Sequence, residues 1–237
     1  MKIDQLIRSK RKTVGLYVEH DGRLVVRAPL GAPRALIDAF VEEKETWILE
    51  KQALARRMAE QSQPRQFKNG ETFLLLGERF PLTIVDLQAK PLVFNDGFHL
   101  RRDAQPRAAA LIEAWYRQQA RQLIGERLAW YSRKHGFQFK KIRISGARTR
   151  WGSCSTTGTL SFTWRLVMAP IELIDYVVVH ELVHTLIKNH SPAFWEALAV
   201  IMPDHKAHRA WFRKNGHTLT LDGFVNGYSP SPSTAGW

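Results

Sequence analysis

Alternation of apolar and polar residues opens the chain. Val14, Leu16 and Val18 alternate, Asp21-Gly22 offers a tight turn, and Leu24-Val25-Val26 follow, so residues 12–28 are expected to form an antiparallel hairpin. From Arg34 to Met58 the spacing becomes helical: Leu36, Ile37, Phe40, Val41, Trp47 and Ile48 recur among charges, predicting an amphipathic helix broken once. The polar run from Glu60 to Gln66 reads as a loop. Thr72 to Leu76 and Pro81 to Val85 then read as paired strands across Gly77-Glu78, and a further pair flanks Asn95-Asp96-Gly97.

A helical period returns at Pro106 and lasts to His135, with Leu111, Ile112, Trp115, Leu123, Leu128 and Tyr131 on the apolar side and Gly136 as its stop. Phe137, Phe139, Ile142 and Ile144 predict a strand, with a bulge where Lys140-Lys141 breaks the alternation. Leu160, Phe162 and Trp164 predict another. As a sheet edge, that second strand would offer free backbone groups to an extended peptide. Pro170 then opens a nearly continuous apolar run through Val179, a buried helix. The expected fold class is α+β: a β-rich N-terminal module with one main helix over residues 1–103, a second domain over 104–228 built on a mixed or antiparallel sheet, and a small, polar, mobile tail over 229–237.

That buried helix carries the candidate chemistry, His180-Glu181-Leu182-Val183-His184, with His190 six residues on. At 3.6 residues per turn, His180 and His184 lie one turn apart on one face and can point imidazole nitrogens at one ion. Glu181 follows the first ligand by roughly 100°, placing a carboxylate near a metal-activated water without binding the metal. Ser191-Pro192 reads as the start of a new helix, so His190 lies on the bend and can complete a three-ligand set whose fourth position is left to water. The spacing equals that of metzincins, but Ile187 stands where their glycine would be. Glu196, in the following helix, is the rival third ligand. The pattern reads as a zinc hydrolase site, Zn2+ being the expected cofactor.

Composition changes the picture in two places. A chain of 237 residues with 44% apolar content can bury a full core, lacks an apolar stretch able to span a bilayer, and has Cys154 as its sole cysteine; a cytoplasmic protein with no membrane partner is expected. Its net charge of +13 also favours polyanions, so nucleic acid or a nucleotide is a second candidate partner, although no phosphate loop or nucleic-acid motif accompanies it. Two alternatives follow: a metal-dependent nucleotide phosphohydrolase, and a nucleic-acid-associated module whose metal is structural. Cys154 has no dedicated base and is not read as a nucleophile. Met202-Pro203 resembles a Met-turn but is read as core, and His205, His208 and His217 are read as surface residues.

Arg148-Thr149-Arg150-Trp151-Gly152-Ser153-Cys154-Ser155, Trp164 to Pro170, Ile174 to His184 and Asn189 to Trp195 together resemble the YgjP-like metallopeptidase family, densely over residues 137–215. The resemblance implies a zincin-like fold related to SprT-like and Wss-type proteases, zinc at His180, His184 and His190, Glu181 as general base, and a protein or peptide substrate. Within the Arg148 to Ser155 block, Arg150 is a candidate for transition-state or substrate contact, Trp151 for core packing and Gly152 for a turn. Oligomeric state is not encoded in any of these signals.

Overall fold

Three short strands, β1 (Gln5–Ser9), β2 (Gly15–Val18) and β3 (Leu24–Pro29), form a sheet in the order β1-β3-β2 in this computed structural model, which describes residues 1–19, 21–61 and 65–221. β2 and β3 are the expected antiparallel hairpin. β1 joins β3 in parallel, a pairing no local pattern announced. The helical segment breaks once, at Lys44, into α1 (Arg34–Glu43) and α2 (Glu45–Gln61). Leu16, Val18, Leu24, Val26 and Ala28 bury their side chains against Ile37, Val41 and Ile48, the core of this unit.

Residues 65–215 form a second compact unit; the other described residues, up to 61 and 216–221, belong to the first. The second begins with β4 (Thr72–Leu75), β5 (Glu78–Val85), β6 (Leu92–Phe94) and β7 (Phe98–Arg101), ordered β4-β5-β7-β6. Leu76 (φ 51°) and Gly77 (φ 86°) make the two-residue turn between β4 and β5. A Cβ at Gly77 would also stand 2.9 Å from the Pro170 ring, so glycine is required there twice over. The division between units falls well before the boundary expected at residue 103, because Phe73 and Phe98 pack into an aromatic cluster with Trp115 and Tyr116 of α3 (Ala108–His135).

A buried stripe runs along α3 at every fourth residue, Ala108, Ile112, Tyr116, Ala120, Ile124 and Leu128, one position off the expected Trp115 and Leu123. Gly136 ends the helix in the left-handed conformation, φ 75°, with its N–H bonded to the Ser132 carbonyl. β8 (Lys141–Ser145), β9 (Gly152–Cys154) and β10 (Thr159–Thr163) form a mixed sheet in the order β8-β10-β9. Phe137 and Phe139 precede β8. β10 is therefore the central strand, not the expected edge: it is hydrogen-bonded on both sides, and β9 is a free edge of this sheet among the described residues.

α4 (Ile171–Leu186), α5 (Pro192–Ile201) and α6 (His205–Asn215) complete the unit. Twelve consecutive residues of α4, Leu173 to His184, are buried, which is why its sequence is apolar all round rather than amphipathic. The one acidic residue ahead of the motif in that stretch, Asp175, takes a two-pronged contact from Arg127 of α3, Nε to Oδ1 at 2.5 Å and Nη2 to Oδ2 at 2.6 Å. No described helix is long and apolar enough to cross a membrane. The expected tail, residues 229–237, lies outside the described residues. The architecture is α+β.

Candidate metal centre

His180 and His184 project from the last two turns of α4, and His190 comes from the turn between α4 and α5. Their Nε2 atoms form a triangle: 3.1 Å from His184 to His180, 3.1 Å from His184 to His190, and 3.0 Å from His190 to His180. Two nitrogens bound at about 2.0–2.1 Å to one tetrahedral ion would stand ~3.3 Å apart, so the triangle has the right size. His184 is oriented by its other nitrogen, whose Nδ1–H can donate to the Ile187 carbonyl at 3.0 Å, leaving the Nε2 lone pair facing the centre. Burial drives the His180 pKa well below its usual value and takes His190 down to about 4, with the neighbouring imidazoles adding to both shifts; burial also lowers His184. Neutral rings at neutral pH, lone pairs converging, form a donor set that fits a divalent cation. Glu196 is not in this cluster, which among the described residues contains only the three histidines.

Aromatic side chains fix the third ligand. The Trp195 indole N–H donates to the His190 carbonyl at 3.2 Å, and its ring stacks on His190 at 5.5 Å between centroids. Trp195 also stacks on His205 at 5.9 Å. His205 was expected at the surface, yet only 6% of it is exposed, because it fills this stack and can bond the Met202 carbonyl through Nδ1. Phe194 packs against all three histidines, closest to His184 at 4.5 Å.

Glu181, 1% exposed, faces β9. A Cβ built on Gly152 would meet its Oε1 at 2.6 Å, its Cγ at 2.7 Å and its Cδ at 2.9 Å. Gly152 is therefore a strand residue whose bare Cα makes room for a carboxylate, and not the turn that its type suggested. Burial raises the Glu181 pKa to about 8, opposed by the positive charge of Arg150. Arg150 itself is exposed in the segment between β8 and β9, while Trp151 is buried against Phe212. Cys154 has its pKa raised by burial and meets Lys188 Nζ at 3.9 Å, no arrangement for a nucleophile.

A family model described as YgjP-like, metallopeptidase domain, matches residues 12–215. Among solved structures, the chain is similar to the metallopeptidase zymogen of Pyrococcus abyssi abylysin, at 21% identity over 38% of this chain and 92% of that one, with a TM-score of 0.36. No curated protein matches the chain.

Proposed function

The chain belongs to the YgjP-like metallopeptidase family, and from that premise we propose that it is a zinc-dependent peptidase in which Glu181 is the general base. Family membership makes it a metal-dependent peptidase, with protein or peptide as substrate. The finer reading rests on one observation, the triangle of Nε2 atoms with a buried carboxylate on the next residue of the same helix. Three neutral imidazoles are a donor set suited to zinc, and three protein ligands are the number that a catalytic site uses.

His180, His184 and His190 would hold the ion, which when bound supplies Lewis-acid polarisation of the scissile carbonyl and lowers the pKa of water. Glu181, as carboxylate, accepts the proton of the attacking water and passes it to the leaving amine nitrogen. Its position depends on Gly152, whose missing Cβ is the space that the carboxylate fills. Phe194 and Trp195 shield the imidazoles from bulk water. The free edge of β9 supports capture of an extended peptide alongside Glu181, the role first expected of β10. Arg150 is assigned to substrate contact. We place the enzyme in the cytoplasm, where a lone cysteine stays reduced.

Metal analysis of the purified protein together with a panel of unfolded proteins and peptides tests the reading. One zinc per chain and cleavage that is lost in Glu181→Gln, with metal retained, are expected. Wild-type turnover by that variant would remove Glu181 from the mechanism, and cleavage of nucleotides but not peptides would remove the peptidase assignment.

A further inference from the structure

Each of the four residues at the centre has a cation for its electrostatic neighbour. Arg150, ahead of β9, acts on Glu181; Lys188, on the turn after α4, acts on His184; Arg209, on α6, acts on both His180 and His190. Geometry places two of them directly: Lys188 Nζ is 3.9 Å from Cys154 Sγ on β9, and the Arg209 guanidinium lies over Trp195, 5.1 Å from the ring centroid, on the ring that stacks against His190. None of the three takes part in an ion pair among the described residues. The groups that act on His184 and His190 include no carboxylate among the described residues. His184 bonds a backbone carbonyl through Nδ1, a neutral partner that orients the ring but offsets none of an ion's charge. Positive charge is thus left without a local counterpart, and a bound divalent ion would add to it.

Two of these cations bracket the free edge of the sheet. Arg150 lies two residues before Gly152, the strand position against which Glu181 packs, and Lys188 reaches Cys154, two residues after it. Extended chain advances about 3.3 Å per residue, so Cys154, which Lys188 reaches, lies ~7 Å along β9 from Gly152, while Arg150 stands in the segment that leads into the strand. A peptide paired with β9 and centred on Glu181 would bring one side chain near each cation, about two residues to either side of the bond cut.

We infer that the substrates of this site are acidic peptide segments, with Asp or Glu on both flanks of the scissile bond, recognised by Lys188 and Arg150 along β9. The inference rests on the peptidase reading. Unpaired cations of this kind raise the local concentration of anionic substrates and disfavour basic ones. A peptide is favoured over a nucleic acid because the cations flank a strand edge, which has backbone donors and acceptors for another strand.

The test measures binding and cleavage separately. Zinc-loaded Glu181→Gln protein is titrated with fluorescent peptides of one core sequence whose flanks are Glu, Gln or Lys, and zinc-loaded wild type is assayed on the same set. Binding about tenfold tighter for Glu than for Lys flanks, weakened by added salt, is expected, with the same order in kcat/KM. Lys188→Glu should reduce or invert the Glu-to-Lys ratio; its zinc-induced rise in Tm shows that it has folded. Equal binding of the three peptides overturns the inference and leaves the peptidase reading intact if all are cut. If none is cut, that reading fails while the binding order still decides the charge preference. A single-stranded oligonucleotide that displaces the Glu-flanked peptide at equal concentration would also overturn it.

Discussion

Removing the charge on Glu181 should stabilise the metal-free protein in alkaline solution. Burial lifts its pKa from an ordinary 4.5 to about 8, and at about 1.4 kcal/mol per pH unit the fully ionised carboxylate costs the fold ~5 kcal/mol. Because the folded-state pKa is raised, the folded chain holds the proton more tightly than the unfolded one. The group's contribution is fully present below pH 4.5 and is lost as pH rises through 8. Glu181→Gln keeps the shape and carries no charge. Urea unfolding of metal-free wild type and variant at pH 5 and pH 9 measures the difference. Near-equal stabilities at pH 5 are expected, and at pH 9 the glutamine protein should be the more stable by several kcal/mol. The histidines shift the other way, losing stability as pH falls below 6.5, but both proteins carry them and they cancel in the comparison. Added zinc should narrow the gap, since a divalent cation favours the carboxylate. A gap that does not grow between pH 5 and 9 would refute the assignment of Glu181 to a dry, uncompensated environment.

Gly152→Ala should retain zinc but lose at least ~100-fold in kcat, since its methyl group would sit 2.6 Å from Glu181 Oε1 and displace the base; peptide assays beside metal analysis check it. Asp175→Ala leaves Arg127 without its paired acceptor and should cost ~3 kcal/mol, read as a lower urea midpoint with the slope unchanged. Chelation should abolish peptidase activity, and zinc at a hundred times its Kd should restore it and add ~2.7 kcal/mol of stability. Trp195→Phe keeps the stack on His190 and loses the N–H bond to its carbonyl, so zinc affinity should fall by about fivefold; Trp195→Ala, which loses both, should fall further in a chelator competition.

Features fixed by neighbours along the chain were legible in the sequence. His180 and His184 are separated by one helical turn, Gly136 follows the last residue of a long helix, and Asp21-Gly22 divides two alternating runs, so each could be placed from spacing alone. Long-range packing was not. Leu160, Phe162 and Trp164 announce a strand but not which strands lie beside it, and β10 proved to be the middle of its sheet. The residue type of Gly152 suggests a turn; the reason for it is a carboxylate 29 residues away. The usual preference of histidine puts His205 at the surface, and a ring stack with Trp195 overrides it. The aromatic cluster of Phe73, Phe98 and Tyr116 moved the unit boundary for the same reason: ring contacts between distant segments leave no local periodic trace.

The three imidazoles are not carried alike. Two ride on a helix buried along most of its length, while the third hangs from a short turn whose neighbour Asn189 is exposed. An ion would then be captured in stages, first by the rigid pair and afterwards by the closing of the turn, and would depart in reverse order. Trp195 is what holds that turn, so loosening it, as in Trp195→Ala, should speed exchange with competing chelators more than it alters the selectivity among metals.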